Sequence, residues 1–333
     1  MKKIGILTLH NALNYGAFLQ AFALQTILQD RHYEVEIIDL AKSRFLDRLK
    51  LIKCKYPRKV IHHYKLLKQF DKVSNRLQVT RRNPNDFDTI IVGSDEVWNL
   101  SNNFIHYKQY LGKGISIPNI ISYAASANSL IPEQFKRLAG PDFNFSEFKH
   151  ISVRDRNTFN LVKTISSRDP ATVVDPTLLF KQWTKLAEPC PHKNFIFLYE
   201  MGISEHERKM VEQFAKQTGK KIISVGCDIT WCDENIYGTP FDFLGYIKDA
   251  DYVVTSQFHG VMFSLIFNKE VAIFPQGKAK VLDAMEWAGL QDRDATHVFA
   301  LADIFAKPIN YSKINMLIEK RREDSLQWLL RVL

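Results

Sequence analysis

The stretch Val92-Gly93-Ser94-Asp95-Glu96-Val97-Trp98-Asn99 follows a buried-type run, Asp-Thr-Ile-Ile-Val, and crowds polar side chains and an indole into one loop. A carboxylate in such a loop can orient or deprotonate a hydroxyl, and an indole offers a flat face to a sugar ring. Asp95 is therefore read as the group that holds a sugar hydroxyl or acts as a base, Trp98 as a stacking platform, and Gly93, Ser94, Glu96 and Asn99 as substrate-binding neighbours. An Asp that merely caps the next helix is the plainer alternative. In His10-Asn11-Ala12-Leu13-Asn14-Tyr15-Gly16-Ala17, a turn into a helix, the backbone N–H groups favour an anion, and Gly16 permits close approach. Asn14, Tyr15, Gly16 and, one turn on, Gln20 are the binding candidates there. Ser152-Val153-Arg154-Asp155-Arg156 sets Arg154 at a strand end, where a guanidinium can grip a carboxylate or phosphate, or pair with an acid of this chain. Thr255-Ser256-Gln257-Phe258-His259-Gly260 puts His259 at a helix start that welcomes an anion, with Ser256 and Gly260 beside it.

These loops need a scaffold that presents strand ends together. Residues 3–9 read as a strand, 18–29 as a helix with Leu19, Phe22, Ala23 and Ile27 on one face, and 35–40 as a second strand. The same alternation recurs, with strands expected at 88–93, 120–123, 151–153, 172–174, 194–199, 221–225, 252–255 and 271–274, and helices at 205–218, 241–249 and 260–267. Strand alternating with helix implies parallel sheets, which bind ligands beyond the carboxyl ends of their strands. A break at Glu188-Pro189-Cys190-Pro191 marks a linker. The expected domains are 1–188, with a basic helical insertion at about 42–82, and 189–333, which ends in an amphipathic closing helix from Ile314 to Leu333. The fold class is α/β, two domains facing across a cleft.

With 333 residues, 46% apolar and 24% charged, the chain has the length of two ordinary globular domains. The N-terminal apolar run is too short for a signal-peptide core, and no run approaches the about 18 residues of a membrane span. A cytoplasmic location is expected. Cys54, Cys190, Cys227 and Cys232 are scattered, which suits reduced thiols; Cys227 and Cys232 could join His and Asp at a metal, but C-x₄-C alone is a weak pattern and two thiols in a loop fit as well. No metal or cofactor is expected. The net charge of +9 is local: residues 42–82 carry fourteen Lys and Arg against Asp47 and Asp71, so the remainder is slightly acidic. Phe45, Leu46, Leu49 and Ile52, then Ile61, Tyr64 and Leu67, recur at helical steps, so the charges decorate amphipathic helices. Such a face suits an anionic membrane surface or plain solvation, and no nucleic-acid motif accompanies it.

Taken in order, several segments resemble the polysaccharide pyruvyl transferase family. They are Asn14-Tyr15-Gly16-Ala17-Phe18-Leu19-Gln20-Ala21, Ile91 to Asn99, Tyr123-Ala124-Ala125-Ser126, Ile151-Ser152-Val153-Arg154-Asp155, Val174-Asp175-Pro176-Thr177-Leu178-Leu179 and Thr255 to Gly260, with Gly289-Leu290-Gln291-Asp292-Arg293 closing the set. The family usually has Arg-Glu at Arg154-Asp155 and often Asn-Ser-Phe-His-Gly around His259.

The resemblance implies two Rossmann-like domains of the glycosyltransferase-B kind and transfer of a pyruvyl group from the co-substrate phosphoenolpyruvate to two sugar hydroxyls, giving a ketal and phosphate. On that reading Arg154 and His259, brought together by domain closure, bind the donor's anionic groups. Asp95 handles the acceptor, Lys278 and Lys280 add charge at the phosphate, and Ser126 joins the binding residues. The acceptor is a saccharide, free or lipid-linked, and the basic stretch would bring the enzyme to the inner face of the membrane as a peripheral protein. The main rival is a nucleotide-sugar glycosyltransferase of the same two-domain architecture; the others are a non-catalytic saccharide-binding or scaffold protein and, last, a nucleic-acid binder built on the basic stretch.

Overall fold

The computed structural model describes residues 1–40, 57–102 and 107–333. Along the chain run β1 (Lys3–Leu7), α1 (Tyr15–Gln29), β2 (Glu34–Ile38), α2 (Pro57–Val73), β3 (Val79–Thr80), β4 (Thr89–Val92), β5 (Ile120–Ser122), α3 (Pro132–Ala139), β6 (Ser152–Val153), α4 (Arg156–Ser166), β7 (Ala171–Thr172), α5 (Pro176–Leu179) and α6 (Trp183–Leu186). There follow β8 (Phe195–Tyr199), α7 (Glu205–Thr218), β9 (Lys221–Val225), β10 (Glu234–Ile236), α8 (Pro240–Asp249), β11 (Tyr252–Thr255), α9 (Phe258–Ile266), β12 (Val271–Ile273), α10 (Ala279–Ala288), α11 (Leu301–Phe305) and α12 (Tyr311–Val332).

Two compact units result, and among the described residues the first holds 1–40, 75–102, 107–180 and 318–333, the second 57–74 and 181–317. Each is built on a five-stranded parallel sheet, of order β3-β2-β1-β4-β5 in the first and β10-β9-β8-β11-β12 in the second. The central strands are apolar and fully buried because helices cover both faces, as in β4 with Thr89, Ile90, Ile91 and Val92 and β8 with Phe195 to Tyr199. In each unit the chain moves outward through three strands and then returns to the other side of the first. The resulting reversal lies between β1 and β4 and between β8 and β11, and open parallel sheets bind ligands at such points. In the first unit, single parallel bridges from Asp95 to Ala125 and from Ala125 to Val153 extend the pairing toward β6, which pairs with β7.

These units depart from the expected domains 1–188 and 189–333. Residues 181–188 belong to the second unit, where the Glu188 amide donates to the Phe241 carbonyl at 3.0 Å. Most of the closing helix belongs to the first unit, because Ser325 accepts from the Val174 amide at 3.0 Å and Trp328 packs on Tyr123 with ring centroids 6.3 Å apart. Helix α2 groups with the second unit through two hydrogen bonds from Arg58 to Asp228, at 2.8 and 2.9 Å. Residues 42–56 of the basic stretch lie outside the described residues. In α2 the inward positions are Leu66, Phe70 and Val73, whereas Ile61 and Tyr64, expected on the apolar face, point outward at 55% and 52% exposure. Among the described residues no helix is long and apolar enough to cross a membrane.

Candidate functional site

In the first unit the chemistry gathers where β4 ends. Gly93 takes a φ of +117°, and a side chain there would strike the Tyr123 carbonyl at 2.3 Å, so only glycine lets the chain turn out of the sheet. Asp95 follows in the left-handed region with a φ of +71°. The Arg154 guanidinium, at the end of β6, donates to Asp95 Oδ1 at 2.8 Å and to Asp175 Oδ2 at 2.6 Å. Asp175 caps α5, its Oδ1 accepting from the Thr177 amide at 3.0 Å and hydroxyl at 2.7 Å, and Oδ2 also accepts from the Ser94 hydroxyl at 3.2 Å. The Asp95 side chain is 11% exposed while those of Arg154 and Asp175 are 1% and 0% exposed, so Asp95 is the member of the trio nearest solvent. Burial works against the charge on Arg154, but Asp95, Asp175 and Asp155 outweigh it and hold the guanidinium above its ordinary range.

This geometry changes the role read for Arg154. Its guanidinium holds two carboxylates of its own chain, and Asp155 is the N-cap of α4, accepting from the Thr158 amide at 2.8 Å. Arg154 thus positions Asp95. Trp98 is also reassigned: fully buried, it donates its indole N–H to the Tyr110 carbonyl at 2.8 Å and packs on Phe145 and Phe148, with centroids 4.9 and 5.5 Å away. It is a core residue, and no sugar can stack on it.

Other residues of that loop and of the one after β5 are held by hydrogen bonds within the unit. Half-buried Glu96 accepts from the Asn99 and Asn128 amides at 2.7 and 3.2 Å, and Ser126 is fully buried, its amide donating to the Asp95 carbonyl at 2.9 Å. On the β1 side, Asn14 caps α1 by accepting from the Ala17 amide at 3.0 Å, which starts that helix three residues before the expected 18. Tyr15 and Gly16 are buried in its first turn. Gln20 is a brace, its amide donating to Thr8 Oγ1 at 2.9 Å and to the Leu9 carbonyl at 3.1 Å. Thr8 in turn donates to the Ser94 carbonyl at 3.0 Å, tying the end of β1 to the Asp95 loop.

In the second unit β11 ends in Thr255, whose hydroxyl donates to the Tyr199 carbonyl at 2.6 Å. A side chain at Gly260 would meet that same hydroxyl at 2.1 Å, so the glycine lets α9 start close against the strand. The N-cap residue Gln257 places no side chain on the amides of α9, and His259 sits in its first turn at 8% exposure. Ser256, fully buried, accepts from the Met201 amide at 3.0 Å, and its carbonyl accepts from Lys278 Nζ at 2.9 Å. A cation, an imidazole and a helix N-terminus therefore share one strand-end turn, an arrangement suited to an anion. Lys280 lies half-buried in the first turn of α10.

A family model described as polysaccharide pyruvyl transferase matches residues 14–276. The chain belongs to the polysaccharide pyruvyl transferase family. Asp95, Arg154, Asp175 and His259 of this pyruvyl transferase family member all fall inside the matched span, and Lys278 and Lys280 just beyond it. No curated protein matches the chain in sequence.

Solved structures with this family member's architecture include the glycotransferase of kitacinnamycin (10% identity, 99% of each chain covered, TM-score 0.53). Others are the UDP-GlcNAc 2-epimerase of Neisseria meningitidis bound to UDP-GlcNAc (9% identity, 98% of this chain and 94% of that one, TM-score 0.51) and the S. aureus MnaA–UDP co-structure (12% identity, 100% and 98%, TM-score 0.50). What is shared is the α/β fold of GT-B glycosyltransferases and epimerases.

Three buried side chains beside these loops were not among the residues singled out for the site. Asp175 stood in a matching segment, but Asp-Pro-Thr is the ordinary signature of a helix cap, and it is one here as well as the partner of Arg154. His10 and Asp39, at the ends of β1 and β2, approach to 3.9 Å with side chains 4% and 5% exposed, and no spacing rule links residues from successive strands. Among the described residues no group of three or more His, Cys, Asp or Glu side chains is placed to hold a metal.

Proposed function

We propose that this protein transfers a pyruvyl group from phosphoenolpyruvate to a pair of hydroxyls on a saccharide, forming a ketal and releasing phosphate. The observation that supports this most directly is the turn at the start of α9, where His259 and the Lys278 ammonium, which donates to the Ser256 carbonyl, stand together at the helix N-terminus. A phosphate or carboxylate is the ligand such a turn favours.

The reaction needs a proton on the methylene carbon, which becomes a methyl group, and an oxocarbenium-like centre at the adjoining carbon. One sugar hydroxyl adds there, phosphate leaves with its bridging oxygen, and the second hydroxyl closes the ketal. The two hydroxyl protons balance the one gained by carbon and the one carried off by phosphate. His259 is the proposed proton carrier toward the donor and Lys278 the charge that binds its phosphate, with Lys280 adding to the field. Asp95 is the proposed base for the acceptor, and Arg154 fixes its orientation. No metal or further cofactor enters the proposed scheme.

The test is phosphate release from phosphoenolpyruvate across a panel of lipid-linked and nucleotide-linked sugars. Binding of a nucleoside diphosphate without binding of phosphoenolpyruvate would replace the reading with nucleotide-sugar glycosyl transfer. Saccharide binding with no turnover of either donor would make the protein a binding module.

A further inference from the structure

We propose that the outward face of α2 is a docking surface for an anionic lipid bilayer. Along α2, Arg58, Ile61, Lys65, Lys68 and Lys72 follow one another at steps of three and four, so they form a single stripe on one side of the helix. The opposite side carries Leu66, Phe70 and Val73, all buried. Arg58 clamps the N-terminal end through its paired hydrogen bonds to Asp228, and Lys65 Nζ lies 4.8 Å from the Tyr237 ring centre. The Arg58 bonds fix the helix, and the stripe from Arg58 to Lys72 runs along it for about 21 Å, at 1.5 Å per residue.

The composition of that face selects its partner. It carries Lys65, Lys68 and Lys72, all exposed, and within α2 the one acid is Asp71 at the stripe's edge. Ile61 and Tyr64 stand among the lysines at 55% and 52% exposure, and Lys68 lies 4.8 Å over the Tyr64 ring. Nucleic acid would use the lysines and could stack on the tyrosine but gains nothing from an exposed isoleucine. A bilayer uses both: apolar side chains enter below the headgroups while lysine stems lie along the apolar surface and their ammonium groups reach the phosphates. The inference does not depend on the pyruvyl transfer proposed above.

The experiment is co-sedimentation of the full chain with vesicles of mixed phosphatidylcholine and phosphatidylglycerol, against pure phosphatidylcholine vesicles and a single-stranded oligonucleotide. The native chain should bind the phosphatidylglycerol vesicles at low salt and release them at high salt. Replacing Lys65→Gln, Lys68→Gln and Lys72→Gln together should weaken that binding on the order of a hundredfold, since each surface cation adds a factor of several. The pair Ile61→Ser and Tyr64→Ser should weaken it by at least about tenfold while leaving its salt dependence unchanged. These positions face solvent, so both variants should melt like the native chain, which separates lost docking from lost folding. No binding of phosphatidylglycerol vesicles at low salt, unaltered binding by the triple variant, or tighter binding to the oligonucleotide than to vesicles would each overturn the proposal.

Discussion

Arg154 and Asp95 form a buried ion pair at 2.8 Å across 59 residues of sequence, and the second arm of the same guanidinium holds Asp175 at 2.6 Å. One cation therefore fixes the loop after β4 and the cap of α5. Removing it leaves two carboxylates facing each other in a dry environment. Arg154→Ala should cost about 3–5 kcal/mol of stability, the usual result of stripping one partner from a buried charge group. Urea unfolding measures this, and a native midpoint would show that the network contributes nothing to folding. Arg154→Lys should recover part of the loss but not both hydrogen bonds, because an ammonium lacks the planar fork.

Trp98 provides an independent check on the same loop. A sugar platform could be truncated with little effect on folding, whereas a fully buried indole between Phe145 and Phe148 cannot. Trp98→Ala should lose about 3–5 kcal/mol, and Trp98→Phe distinctly less. Equal stability of the native and alanine proteins would return Trp98 to the substrate.

The two outcomes mark where sequence reading stops. The core strands were legible because a parallel sheet covered on both faces leaves unbroken apolar runs, as in Thr89 to Val92, Phe195 to Tyr199 and Tyr252 to Thr255. Functional loops followed from where those runs end. Partners did not: an arginine at a strand end reads the same whether it meets a ligand or Asp175, and the carboxylates lie 59 and 21 residues away. Amphipathic pattern shows that α12 has a buried face but not that Ser325 and Trp328 find theirs in the first unit. In α2 the three-residue rhythm of Ile61, Tyr64 and Leu67 competed with that of Leu66, Phe70 and Val73, and only packing chose the second.

Asp95→Asn keeps the side chain's shape and one acceptor for Arg154 while removing the base. Phosphoenolpyruvate binding should survive, and transfer should fall by about 10²–10⁴. Titration calorimetry with the donor beside a phosphate-release assay reads both. Transfer within a few-fold of native would exclude Asp95 as the base.

Burial, with Glu200 nearby, pushes the Cys227 thiol up to about 12. The sign follows from linkage: a value raised in the folded state gives stability that is complete below the unfolded value near 9.0 and is lost as pH climbs toward about 12. Cys232 is raised as well, by burial first and then by Glu200, and acts in the same direction. Urea unfolding from pH 8 to pH 11 should show a steeper decline for the native protein than for Cys227→Ala. Parallel slopes in the two proteins would refute the shift.

The α9 turn makes the sharpest demand on kinetics, because its two side chains have different assigned tasks. Lys278 contributes charge beside the Ser256 carbonyl, so Lys278→Met should weaken the ground state and the transition state together: KM for phosphoenolpyruvate rises about tenfold or more and kcat changes little. His259 is assigned a proton transfer, so His259→Gln should lower kcat by about 10²–10⁴ with a small change in KM. Both changes leave the backbone of the turn in place, since it is held by Thr255 on the Tyr199 carbonyl and by Ser256 on the Met201 amide. The melting temperatures should therefore stay near native. If the two variants show the same pattern, with kcat and stability falling together, the turn is structural and the donor binds elsewhere. If Lys278→Met alters neither constant while His259→Gln still loses kcat, the phosphate is held by other cations and the histidine keeps its role.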